Sequence, residues 1–419
     1  MAICECGNTV MPTECNDSVI DNTVSKVIGF KRKHSFIDIP DCNCNNWPNK
    51  TSMHSNILKC ISEREIGNKS NNVFNSNVMI QKMDQFKSCK LFLSTHPELH
   101  ISECEFIKLG LNGRSIIGLW HGNEYNAILY KLELNLTPRS STVEDDSPNF
   151  INSVKKVGPF FSRSIIRDMC DTIFNGQEHV LYVGVESNFN SVKQNIAVLC
   201  RLTNHTSTNG KKYTYLKRLL CCCGCRNDNI FAAGTVSGIF VFANEEFTQI
   251  RDYGQKVRCT EFNSIGNILY CGIDNRGLVM YDRREDPWKC NDVKINNMNL
   301  ENITSTKLLS GENAIIVSCL DGTLTQIDLR KKEPLMYYRG HVGTIRKIPF
   351  NVSEYVDVLC ATGGDKMTRL WSLSTGTQLH AFEPPIPSKR IHSCLISDEY
   401  RWSVALFQES KMFVYEPSI

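Results

Sequence analysis

Three groups of side chains in this chain could do chemistry. The first is cysteine, present 20 times. Cys4 and Cys6, and Cys42 and Cys44, form C-x-C pairs with Cys15 between them, and Cys221, Cys222, Cys223 and Cys225 form a dense run. Thiolates can hold zinc, but zinc sites draw on C-x₂₋₄-C pairs in matched sets. The dense run falls on the inner strand of the third repeat unit, and Cys4, Cys6, Cys15, Cys42 and Cys44 would be the ligands if a metal bound. The expectation is no metal and no cofactor. The second group is His341 with Asp365, half of a possible dyad, whose spacing is better explained by a repeat. No G-x-S-x-G, Walker loop, G-x-G-x-x-G or H-E-x-x-H occurs in a usable context, so an enzyme is not expected. The third is a doubled hydrophobic-Asp-x-Arg pattern, Tyr281-Asp282-Arg283-Arg284 and Ile327-Asp328-Leu329-Arg330. Two residues apart on a strand, Asp and Arg point to one side. A planar cation with five donors at the strand end suits the anchoring of a partner protein.

These residues sit in a repeat. The clearest unit runs from Gly340-His341 to Trp371-Ser372, with Asp365 six residues before Trp371. One unit earlier, Asp321 lies six residues before Ile327, and Asp321-Gly322 is a hairpin turn signal. Ser318 and Thr362 each precede their aspartate by three. One unit later, Glu409 lies six residues before Tyr415. Closing residues fall at Tyr130, Cys200, Phe242, Tyr281, Ile327, Trp371 and Tyr415, with last intervals of 42, 39, 46, 44 and 44. That is about the 40–45 residues of a WD-repeat blade of four strands. The long first interval, 70 residues, is read as a loop inserted over 136–158. The sequence ends just after a third strand, so CKLFLST at 89–95 is expected to supply the fourth strand of the last blade.

Within the best unit, strands are expected over Thr344–Phe350, Asp357–Thr362, Met367–Leu373 and Gln378–Phe382. It resembles a WD repeat, which implies that His341, Thr362, Asp365 and Trp371 form a buried hydrogen-bonded set. Cys271, Cys319 and Cys360 are expected at like places on second strands, as small apolar fillers. Residues 1–85 are Asn- and Ser-rich without sustained period and are expected to be mostly disordered. Lys31-Arg32-Lys33-His34 in that segment is a weak import-like patch. The expected fold is therefore all-β: a seven-bladed WD-repeat β-propeller over residues 86–419 behind a low-complexity segment.

Charge is nearly balanced, 47 basic against 44 acidic residues, so no global field recruits nucleic acid or an anionic membrane. Without a signal-peptide pattern or a long apolar run, the chain is expected in the cytoplasm or nucleus, with its cysteines reduced.

The stretches LSGENAIIVSCLDGTLTQIDLRKKEPLMYYRGHVGTIRKIPF and TGGDKMTRLWSL resemble the WD-repeat substrate receptors of cullin-four RING ubiquitin ligases, the DCAF class, and within it the fourth-numbered branch. The resemblance implies a substrate-recognition subunit. It would dock on the propeller adaptor, the large subunit of damage-specific DNA-binding protein, through Arg284 and Arg330 with Asp282 and Asp328 in support. A protein substrate is implied as the second partner. Ile327 departs from the Trp or Tyr usual before the Asp. The alternative is a general scaffold for complex assembly, in which both Asp-x-Arg pairs are structural.

Overall fold

The computed structural model describes the strands between residues 90 and 416, and most of the turns that join them from residue 164 onward. The segment 1–85, with its C-x-C pairs and basic patch, lies outside the described residues, as does Glu409. Among the described residues there are 28 strands in seven four-stranded antiparallel sheets, and no helix long and apolar enough to cross a membrane. Sheets are numbered here in chain order. In each of the first six, four consecutive strands pair with their sequence neighbours, so every backbone group on an inner strand finds a partner close in sequence. The seventh is different. His392–Ser397, Trp402–Gln408 and Lys411–Glu416 are completed by Lys90–Ser94. Its ladder runs from Lys90↔Glu416 to Ser94↔Met412, which puts Lys90–Ser94, the described part of the 89–95 segment, where a fourth strand was expected.

All seven closing residues lie on third strands. Most are buried: Phe242 and Tyr281 at 1% and 5% exposed, Ile327 and Trp371 at 0%. The matched positions Ser318 and Thr362 also hold, because each pairs with the residue six later across its turn, Leu324 and Thr368. Asp321 and Asp365 make the same turn, accepting the N–H two residues on at 2.7 and 3.2 Å. Gly322 follows with φ +95°, and a Cβ there would meet Gly343 N and His341 O at 2.9 Å. Only glycine meets both demands.

Four expectations need correction. Part of the expected insert at 136–158 is strand, since Ile151–Val157 pairs with Ala127–Leu134 as the outermost strand of the first sheet. An outermost strand has one neighbour and can be polar, so its composition resembles a loop. In the sixth sheet the first strand is Asn351–Ser353, not Thr344–Phe350. Pro349 lacks the N–H that a ladder needs, while residues 344–346 and 348 lie outside the described residues. The other strands, Val358–Thr362, Thr368–Ser372 and Gln378–Phe382, fall within one residue of expectation.

The third correction concerns Cys271, Cys319 and Cys360, which are not at like places. Ile268, Ala314 and Val358 correspond, since they face Asp282, Asp328 and Ser372. The cysteines then stand three, five and two places further on, so Cys360 faces the opposite side of its sheet from the other two. The thiols that do correspond are Cys221 and Cys259, on first strands and opposite Gly234 and Gly272. Cys221 Sγ lies 3.5 Å from Val257 O, and Cys259 Sγ lies 3.8 Å from Ile303 O. Each thiol thus reaches the start of the next sheet's first strand. A Cβ on Gly234 or Gly272 would stand 2.5 or 2.6 Å from the sulfur. Burial pushes these two thiols up to about 12 and about 11, which makes them packing groups rather than thiolates. The eleven cysteines whose side chains are described are buried thiols, and no group of three or more His, Cys, Asp or Glu among the described residues could hold a metal ion.

The fourth correction is the WD-repeat set, which does not close as one hydrogen-bonded network. Asp365 is forked by the Arg369 guanidinium at 3.1 and 2.5 Å, which holds its carboxyl below the usual range against the effect of burial. Thr362 bonds Thr368 and Ser393 at 2.8 Å. Trp371 Nε1 donates to Arg339 O at 2.9 Å. His341 packs edge-on against Trp371 at 6.3 Å, and its buried Nδ1 has no hydrogen-bond partner. Arginine at position 369 is the cause: a charged, bidentate donor outcompetes a neutral imidazole for the carboxylate. Burial first, and then the Arg369 charge, lower the His341 pKa from 6.5 to about 4.

First strands lie against one another from the second sheet to the fifth, and again from the sixth through the seventh to the first, so they form the inner ring. Across that ring, Lys347 before the sixth sheet reaches Asp168 in the second at 2.5 Å. Asp168 is 0% exposed and also accepts the N–H groups of Met169 and Cys222 at 3.0 Å, so the buried carboxylate is well compensated.

Three outcomes follow from this packing. A chain beginning at residue 97 leaves Lys411–Glu416 as an open edge and should aggregate on size exclusion, whereas one beginning at residue 71 should remain monodisperse. Trp371→Ala should cost about 3–5 kcal/mol in denaturant unfolding, because the largest fully buried side chain among the described residues leaves a cavity. His341 is neutral in the fold, while its unfolded form takes up a proton below pH 6.5. Its contribution is therefore present above that pH and lost as pH falls toward 4. In thermal melts at pH 7.5 and 5, His341→Gln should lose less stability on acidification than the parent chain.

Candidate functional site

Antiparallel meanders place the turns after the first and third strands at one end of each sheet, and the turn after the second strand at the other. Both Asp-x-Arg arginines lie in turns after third strands, so they share one end of neighbouring sheets. The third strands Gly277–Asp282 and Leu324–Asp328 stop at the aspartates. Each arginine therefore stands beyond its strand, and strand alternation is not what aligns it with the aspartate. The device is an Asx turn. Asp282 Oδ1 accepts Arg284 N at 3.0 Å, and Asp328 Oδ1 accepts Arg330 N at 2.8 Å. The acceptor fixes the backbone two residues on, and the arginine projects outward, 67% and 69% exposed.

The two copies differ in what holds the guanidinium. Arg284 Nε and Nη2 fork onto Asp282 at 2.9 and 2.6 Å, which holds that carboxyl down at about 2. Asp328 is more enclosed and also accepts Lys331 N at 3.0 Å. These two backbone N–H groups and the nearby Arg330 and Lys331 charges keep its carboxyl low, but Arg330 Nε stands off at 3.8 Å. In the sixth sheet the same place carries Ser372-Leu373-Ser374. There Asp357 from the first turn accepts Ser372 Oγ, Ser374 N and Ser374 Oγ at 2.8, 2.8 and 2.9 Å. The guanidinium pair is thus a property of the fourth and fifth sheets.

A carboxylate relay, which sequence reasoning missed, locks the turns at this end. Glu312 of the fifth sheet accepts Asn263 Nδ2 and Ser264 N of the fourth at 3.2 and 2.6 Å. Glu354 of the sixth accepts Ser310 N and Oγ of the fifth at 2.7 Å. Arg283 Nη1 donates to Gly266 O at 2.7 Å, tying the arginine turn to the first turn of its own sheet. Ile265 and Tyr355 occupy equivalent turn tips at this end and stay 60% and 58% exposed. A serine in each first turn, followed one sheet later by a glutamate, is the sequence trace of this relay.

Of the eight residues singled out from the sequence, Asp282, Arg284, Asp328 and Arg330 gather at this end. His341, Thr362, Asp365 and Trp371 belong to the sixth sheet and its entry.

Residues 193–399 match the family model described as "DDB1- and CUL4-associated factor 4 beta-propeller domain". The chain is 33% identical over 88 residues to DDB1- and CUL4-associated factor 4 of Bos taurus, which is 21% of this chain and 18% of that protein. It is 34% identical over 86 residues to DDB1- and CUL4-associated factor 4-like protein 2 of Homo sapiens, 20% of this chain and 22% of that protein. These alignments thus span about a fifth of each relative. The crystal structure of the WD40 β-propeller domain of Doa1 superposes with a TM-score of 0.54 at 10% identity, over 79% of this chain and 98% of that one. The fold is accordingly a WD40-type β-propeller, and its segment 193–399 is similar to the β-propeller domain of DDB1- and CUL4-associated factor 4.

Proposed function

We propose that this chain is a non-catalytic, seven-bladed substrate receptor of a cullin-four RING ubiquitin ligase, working in the cytoplasm or nucleus. It docks on the propeller adaptor, the large subunit of damage-specific DNA-binding protein, through the end of the fourth and fifth sheets that bears Arg284 and Arg330. The observation that carries this reading is the paired, outward guanidinium on adjacent sheets, each positioned by an aspartate two residues before it. Fixed backbone limits the conformational entropy lost on binding, and exposed Ile265 and Tyr355 add apolar area beside the cations. The names of the relatives, which join them to DDB1 and CUL4, support the choice of adaptor. A general scaffold is the second reading, favoured by the structural use that Asp328 makes of its oxygens.

Arg284→Glu with Arg330→Glu should abolish co-precipitation of the adaptor, since each hydrogen-bonding cation becomes a repelling anion. Single alanine variants should weaken it roughly tenfold or more, as interface hot spots do. Thermal midpoints should stay within error, because both side chains are exposed. Retained binding at unchanged stability would sink the receptor reading and leave the scaffold.

A further inference from the structure

The opposite face carries an unbalanced charge. Five first strands bear a bulge within three residues of their start, among them Ile166/Asp168, Leu219/Cys221, Val257/Cys259 and Ile303/Ser305. The extra residue is Arg167 in the second sheet, Leu220 in the third, Arg258 in the fourth and Thr304 in the fifth. Bulges re-aim a side chain out of the ladder, here at the mouth of the inner ring. Arg258 is matched there, its Nη2 2.9 Å from Asp274 Oδ2 and its Nε on Oδ1. Asp274 follows Ile273, the residue facing Val257. In the second sheet the corresponding residue is Val185, after the Gly184 that faces Ile166. Arg167 therefore has no carboxylate where Arg258 has one.

Two acids of this sheet among the described residues are already engaged. Glu186 is held by Lys212 and Asp168 by Lys347. Arg167 Nε is buried with no hydrogen-bond partner. Its neighbour from the third sheet is another cation, Arg218, exposed just before Leu219, and burial and that charge both work against the Arg167 guanidinium. A half-buried donor left unmade beside a like charge is costly, and an incoming anion relieves both costs. Ile165, the preceding residue, stays 56% exposed.

We propose that this mouth, on the face away from Arg284 and Arg330, binds an acidic peptide, with a carboxylate accepted by Arg167 and Arg218 and an adjacent apolar side chain on Ile165. Only the description of that peptide as part of a ligase substrate rests on the receptor reading.

The test is fluorescence polarisation of the full chain with a labelled peptide of alternating glutamate and leucine. A counterpart with glutamine for glutamate and one with phosphoserine for glutamate complete the set. The glutamate peptide should bind at least about tenfold tighter than the glutamine one, and added salt should weaken it. Arg167→Gln and Arg218→Gln should each weaken binding about tenfold or more, while Arg284→Glu with Arg330→Glu leaves it unchanged. Arg218 is exposed, so its variant keeps the test valid if Arg167→Gln melts early. Equal binding of the glutamate and glutamine peptides, no binding, binding of the phosphoserine peptide alone, or an unaffected Arg218→Gln would overturn the proposal. Peptide binding by a chain that fails to capture the adaptor would remove the receptor reading and leave this site standing.

Discussion

Five residues of backbone pairing join the two ends of the described chain, from Lys90↔Glu416 to Ser94↔Met412. Six sheets are made from strands adjacent in sequence, and each could form as its own segment emerges. The seventh cannot, because its fourth strand was synthesised first. Ladder hydrogen bonds add little net energy each, and closing so long a loop costs entropy. What the ladder supplies is the removal of a free edge, and with it the packing of the seventh sheet's first strand between those of the sixth and the first. The sheet-to-sheet contacts inherit their geometry from that closure.

Those contacts repeat from sheet to sheet. Cys221 reaches Val257 O, and Cys259 reaches Ile303 O. At the other end of the strands, Glu312 holds Ser264 and Glu354 holds Ser310. The thiols fix the spacing of the inner strands, and the carboxylates fix the spacing of the turns. The arginine-bearing end depends on the second of these, because a partner that reads two arginines reads the distance between them. Loss of any one glutamate leaves two donors unmade in the neighbouring turn, so its effect is felt one sheet away from the change.

Much of the architecture was legible because repeats leave apolar residues at fixed intervals. Each closing residue from Tyr130 to Tyr415 is on a third strand, and the equivalence of Ser318 with Thr362 is a ladder register. The errors arose where position in space rather than composition decides. Ile151–Val157 is strand because an edge needs only one partner. Cys271, Cys319 and Cys360 look periodic in sequence, yet turn lengths and strand starts put them at three different rungs. The expected His341–Asp365 pairing failed because Arg369, four residues on, offered a stronger donor. Arg167 was invisible for another reason: its meaning depends on Val185 standing where an aspartate would be, a comparison that exists only once the bulges are aligned.

The two faces differ in how their cations are compensated, and this bears on what each can recognise. Arg284 is already forked by its own aspartate, so a partner gains directional bonds from its remaining donors and little net charge attraction. Arg330 stands 3.8 Å from Asp328, a carboxylate occupied by backbone N–H groups, and keeps more of its charge for a partner. One guanidinium therefore gives shape and the other gives attraction, a combination suited to one fixed surface. At the opposite mouth Arg167 has a buried donor unmade and a like charge beside it. Such a site discriminates by charge first and shape second, because the anion itself relieves the repulsion. An adaptor is a single protein met always in the same pose, whereas substrates share little beyond a local chemical feature. The pair whose backbone is fixed by Asx turns suits the first kind of partner, and the pair with a donor left unmade suits the second.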